Sequence, residues 1–141
     1  MKPESTFVDT NLFLRYLTND VPAQADAVEG LLRRAADGQL HLVTNSMVVA
    51  EIVWTLESYY RLPRQEIEVK VLAMLNTPGL EVSEAELLVQ AIWWYAELNV
   101  DFVDAYNTAW LGQHGFHQVY TFDQRHFSRF DGITIKVPSE V

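Results

Sequence analysis

Four carboxylates stand out because of their neighbours. Asp9 follows Phe7-Val8, Asp123 follows Val119-Tyr120-Thr121-Phe122, and Asp104 follows Phe102-Val103. Glu51 lies within Met47-Val48-Val49-Ala50-Glu51-Ile52-Val53-Trp54, a stretch too apolar all round for a solvent-facing helix. Asp9 and Asp104 also suit helix caps, and Asp123 suits a turn. A buried glutamate is harder to place, because an unpaired one shifts its pKa or demands a partner. No residue of 47–54 can neutralise Glu51, so the partner comes from elsewhere in the fold or from a metal.

If the four acids converge at about 5 Å with an effective dielectric near 20, each pair costs about 3 kcal/mol. Six pairs then total on the order of 20 kcal/mol, more than an ordinary domain's stability. Such a cluster stands only with protonated acids or with bound divalent cations. All-oxygen donors favour Mg²⁺ or Mn²⁺ over zinc.

The elements expected to position these acids follow from local pattern. Short strands are predicted at 6–8, 40–43, 80–82, 118–122 and 133–137. Helices are predicted at 12–17, 23–36, 46–60, 63–75, 84–98 and 102–114. Asp20 and Ser46 are expected to cap the second and third helices, with Pro22 at a first helical position. Strands separated by helices imply crossover connections and a mostly parallel sheet. Ligands of such sheets bind beyond the carboxyl ends of the strands, where Asp9 and Asp123 fall.

Composition narrows the classes. The chain has 141 residues, 49% hydrophobic and 21% charged, which is ordinary globular usage and excludes a disordered or fibrous protein. One domain over 1–141 is expected. The absence of cysteine excludes disulfides, thiolate catalysis and cysteine-ligated metals. No apolar run approaches the roughly 20 residues of a membrane span, and Met1-Lys2-Pro3-Glu4 does not open an apolar signal core. A cytoplasmic protein is the expectation. The net charge of −9 argues against nucleic acid on bulk charge alone. If four acids belong to a metal site, the remainder carries −5, and bound ions offset the site's own charge.

The ordered motifs resemble the PIN-domain family. Phe7-Val8-Asp9-Thr10-Asn11 looks like its first motif, and Ser46-Met47-Val48-Val49-Ala50-Glu51 carries its helical glutamate. Asp101-Phe102-Val103-Asp104-Ala105 and Thr121-Phe122-Asp123, continuing to His126-Phe127, match the third and fourth motifs. Length and opening motif look most like the VapC-type toxins. The resemblance implies an α/β fold, a three-layer α/β/α sandwich with a mostly parallel five-stranded sheet. It implies a metal-dependent endoribonuclease with one or two Mg²⁺ or Mn²⁺ ions, held by Asp9, Glu51, Asp104 and Asp123. Cleavage by a metal-activated water would leave a 5′-phosphate and a 3′-hydroxyl. Asn11 and Thr121 would orient those ligands, and Asp101 would join them or cap its helix. The resemblance also implies an RNA substrate, a homodimer and a small VapB-like antitoxin.

Arg15, Arg125 and His126 lie close in sequence to the motifs, where they suit phosphate contact or surface ion pairs. Trp93-Trp94-Tyr95 cannot all enter one core, so one face of that helix is a candidate interface. Two other readings compete. A haloacid-dehalogenase-like phosphatase also begins with an aspartate ending strand one, but wants a second where this chain has Asn11, and Lys70 and Lys136 are poorly placed for its lysine. A non-catalytic binding module of the same fold is the other.

Overall fold

The computed structural model describes residues 3–139. Met1, Lys2, Glu140 and Val141 of the expected single domain lie outside the described residues. The chain runs β1 (Ser5–Phe7), α1 (Thr10–Thr18), α2 (Pro22–Ala36), β2 (His41–Thr44), α3 (Ser46–Ser58), α4 (Arg64–Leu75), β3 (Leu80–Val82), α5 (Ala85–Glu97), α6 (Phe102–His114), β4 (Gln118–Tyr120), α7 (Gln124–Phe127) and β5 (Thr134–Lys136). The α/β class and the parallel pairing are as expected.

Local chemistry sets the helix ends. The Asp9 carboxylate accepts from the Thr10 amide at 2.8 Å and opens α1. The cap of α3 is Asn45, not Ser46, with its side chain accepting from the Val48 amide at 3.1 Å. Asp20 does not cap α2, which starts on Pro22 without a side-chain cap. Arg15, Thr18 and Tyr60 draw the Asp20 carboxylate into a surface network instead. Gly115 ends α6 in the left-handed region at φ 73°. The short helix α7 was not foreseen; it begins where the predicted fourth strand gives way after Tyr120.

The core is chiefly helical. The α3 stripe Val48, Val49, Ile52, Val53 and Leu56 packs with Ile67 and Val71 of α4, Leu88, Ala91 and Ile92 of α5, and Ala105 of α6. Strand β2 pairs in parallel with β1 and β3, in register Ser5↔His41 and Leu42↔Leu80. Leu42, Thr44, Leu80 and Val82 turn their buried face toward the helices. The other face carries Ser5 and His41, joined side chain to side chain at 2.6 Å, and Phe7, which is half exposed.

The expected five-stranded sheet is corrected. All five strands exist, but β1-β2-β3 form one sheet and β4-β5 another. The Thr121 amide continues the β4 ladder onto Lys136 of β5. Three-residue strands supply few ladder bonds, and the helical core closes without a continuous sheet.

Gly79 joins α4 to β3 at φ 81°, and a Cβ there would collide with the Ala35 carbonyl of α2. Gly115 has a similar φ of 73° but open space. Gly115→Ala is expected to cost about 1 kcal/mol, from left-handed strain alone. Gly79→Ala should cost clearly more, because α2 must move as well. Urea denaturation of the two variants measures that difference, and equal losses would refute the packing account.

Candidate functional site

Helix α6 is held in place by polar ties at its start. Arg64, at the first position of α4, donates to the Tyr95 carbonyl at 2.9 Å and the Val100 carbonyl at 2.7 Å. Its guanidinium lies 4.2 Å from the Tyr95 ring centre and 3.4 Å from Glu57. The Tyr95 hydroxyl donates to Glu57 at 2.8 Å. Burial, reinforced by that hydrogen bond to Glu57, pushes the phenol well above its usual range. On the other side, Tyr106 of α6 and Ser46 of α3 both donate to Glu84 at 2.7 Å. These bonds, Tyr106's foremost, hold the Glu84 carboxylate below its ordinary pKa. The segment between Val100 and Asp104 is thus fixed from both flanks.

That segment and α7 enclose a small cleft of about 170 Å³, lined by Asp101, Asp104, Asp123, Arg125, His126 and Arg129 among others. Burial raises the Asp104 pKa; His126 opposes the shift, while Asp101 and Asp123 add to it. The His126 ring is almost wholly buried, with Nδ1 3.6 Å from an Asp104 oxygen. Its Nε2 is buried with no hydrogen-bond partner among the described residues. Phe127 meets the ring edge-on at 4.9 Å and keeps its orientation. The Thr121 hydroxyl accepts from the Asp123 amide at 3.0 Å, so it orients the backbone carrying that acid.

The remaining sequence candidates do not line this cleft. Asp9 is committed to its cap, and Asn11 and Arg15 line a separate cavity of about 510 Å³ between α1 and α2. Arg15 is tied to Asp20 and Gln24, each at 3.0 Å. Glu51 is exposed, which corrects the expectation of a buried glutamate. It shares an outward stripe with Met47 (78% exposed) and Trp54 (66% exposed), while the apolar residues beside it face inward. A buried carboxylate is therefore not part of this helix.

Among the described residues, no three of His, Asp and Glu lie in metal-holding geometry. The donor chemistry of Asp101, Asp104 and Asp123 suits Mg²⁺ or Mn²⁺, and Asp9 and Glu51 do not line their cleft. Arg129 was missed from the sequence. It lies in the turn after α7, where no motif or helical spacing marked it.

The PIN domain family model matches residues 6–133. Among solved structures, the Mycobacterium tuberculosis VapC20, a sarcin–ricin loop cleaving toxin, shares 24% identity, with 89% of this chain and 95% of that one covered and a TM-score of 0.37. No curated protein matches the chain.

Loss of the Arg64 fork would leave two backbone carbonyls and Glu57 without their cation. Arg64→Ala should destabilise the fold by about 2–3 kcal/mol. Arg64→Lys should recover only part of this, since an ammonium cannot reproduce the planar fork. Chemical denaturation of the pair measures both, and full recovery by lysine would refute the fork's role.

Proposed function

The chain belongs to the PIN domain family, and from that membership and the acidic cleft we propose that it is an endoribonuclease of the toxin type. The observation that carries the reading is the meeting of Asp101, Asp104 and Asp123 with Arg125, His126 and Arg129 in one cleft. Carboxylates beside cations at the end of a parallel strand suit a phosphodiester substrate. Arg125 and Arg129 bind the phosphate, and Asp104, poised against His126, faces the reacting group.

Mg²⁺ or Mn²⁺ dependence is part of the proposal and rests on donor chemistry. Among the described residues no three acids or histidines stand in metal-holding geometry, and the roles proposed are those of the chain's own side chains. The full set proposed to act is Asp9, Glu51, Asp104 and Asp123. Asp104 and Asp123 share the cleft, and Asp9 and Glu51 are not among its lining residues. A VapB-like antitoxin, with a basic side chain directed to the acidic cleft, and a homodimer complete the reading. The exposed Trp54 and Trp93 offer apolar surface for such contacts. That Asp9 and Glu51 do not line the cleft favours a second reading, a non-catalytic binding module.

Cleavage of RNA by the purified protein, with Mg²⁺, with Mn²⁺ and with EDTA, separates the two. The nuclease reading expects metal-dependent cleavage that falls at least about a hundredfold in Asp104→Asn, the scale of a lost electrostatic catalytic group. Equal activity in EDTA would refute metal dependence, and no cleavage under any condition would favour the binding module. Asp9→Asn and Glu51→Gln report whether those two acids act: rates unchanged from wild type would confine the site to the cleft. Asp104→Asn also has a readout free of catalysis. Removing a partly desolvated charge beside two like charges should raise Tm at neutral pH, with a smaller gain in high salt.

A further inference from the structure

Asp104 belongs to two adjoining hollows. One is the cleft with the arginines. The other, about 450 Å³, is lined by Asp104, Asn107 and Trp110 of α6, by Gln118 and Tyr120 of β4, and by Thr121. Its size lies within the roughly 300–1,000 Å³ typical of small-ligand sites.

The chemistry of the second hollow is specific. Trp110 stacks on His114, with centroids 4.2 Å apart and planes at 27°, and on Phe116 at 5.6 Å and 18°. His114 Nδ1 also lies 2.8 Å from the Trp110 carbonyl. The indole is thus held in a defined orientation without any ligand. Tyr120 is 70% exposed, which leaves most of a large aromatic surface open beside the hollow. Asn107 and Gln118 each carry a donor and an acceptor on one amide, the pairing that a base edge requires. Arg125, Arg129 and Lys136 have no carboxylate within ion-pair distance among the described residues, whereas Arg15, Arg33 and Arg64 do. Between 125 and 136 those three cations face a single acid, Asp131. Arg125 and Arg129 line the adjoining cleft that shares Asp104, and Lys136 lies 5.8 Å from the Tyr120 ring centre, so these cations stand near the hollow without lining it.

We propose that the hollow lined by Trp110 and Tyr120 is a nucleobase pocket, seating one unpaired base of an RNA strand beside Asp104. This rests on the nuclease reading only for its substrate class. A base inside a duplex is stacked on its neighbours and cannot enter, so the pocket selects single-stranded segments.

The test is binding in EDTA, which keeps it independent of metal-dependent cleavage. A short unpaired oligoribonucleotide is compared with the same strand lacking one base and with the same sequence in a duplex. The intact strand should bind best, by about fivefold or more. Trp110→Ala should weaken it about five- to a hundredfold, the range of one base–aromatic stack, whereas Trp110→Phe should stay near wild type. Tyr120→Ala, at an exposed position, should weaken binding without lowering Tm.

Equal binding of the intact and abasic strands, or wild-type affinity in both alanine variants, would overturn the pocket while leaving a nuclease reading intact. Base-dependent binding without cleavage in any metal would uphold the pocket and overturn catalysis. No binding of any strand by the wild-type protein in EDTA would overturn the pocket, and the separate cleavage assay with metal decides the nuclease reading.

Discussion

The Arg64 guanidinium is the interaction on which the rest of the molecule depends. It fills the end of α5 and the turn after it with a charge-assisted fork, taking the carbonyls of Tyr95 and Val100 while facing Glu57. Carbonyls at a helix end have no partner within the helix, and a cation there is favoured by the helix dipole. The fork lies over the Tyr95 ring, whose other contact is an edge-on meeting with Phe102 at 6.2 Å. Helices α3, α4, α5 and the start of α6 therefore share one polar node inside an apolar core. Asp101 and Asp104 follow directly from that node, so the geometry of the cleft inherits its rigidity.

Electrostatics explains why the cleft tolerates its acids. Three carboxylates meet, but His126 and two arginines line the same space. Asp104 retains substantial solvent contact, which screens the repulsion that a wholly buried cluster would suffer. Among the described residues no three acids or histidines stand in metal-holding geometry; the Asp9 carboxylate accepts from the first amide of α1, and Glu51 faces water. The cleft itself sets an anionic substrate against a balanced lining, since Arg125, His126 and Arg129 stand beside its three acids.

Much of this was legible in the sequence, and the failures have physical causes. Helix positions followed from apolar spacing, and α6 runs from Phe102 to His114 as predicted, with Gly115 ending it. Asp104 and Asp123 were identified by their place after apolar residues, and they do share the cleft. Glu51 misled because hydrophobicity was summed around the helix. Met47 and Trp54 are apolar yet exposed, so composition could not reveal which side faces the core. Asp20 looked like a cap because only its own neighbourhood was visible, whereas Tyr60 reaches it from 40 residues away. The split of the sheet is equally non-local, since strand length and helical packing decide it together.

Helix α6 shows how one element can carry two chemistries. Phe102, Ala105, Thr108 and Ala109 bury one side of it. Asp104, Asn107 and Trp110 recur every three residues along another, and all three line the larger hollow. With a rise of about 1.5 Å per residue, the carboxylate and the indole are separated by about 9 Å along the axis. A rigid helix thus sets the spacing between a charged group and an aromatic platform, which no loop would hold as firmly. The core contacts that fix the helix and the groups that would meet a ligand are interleaved in the same thirteen residues. Selection for packing on one side therefore constrains recognition on the other.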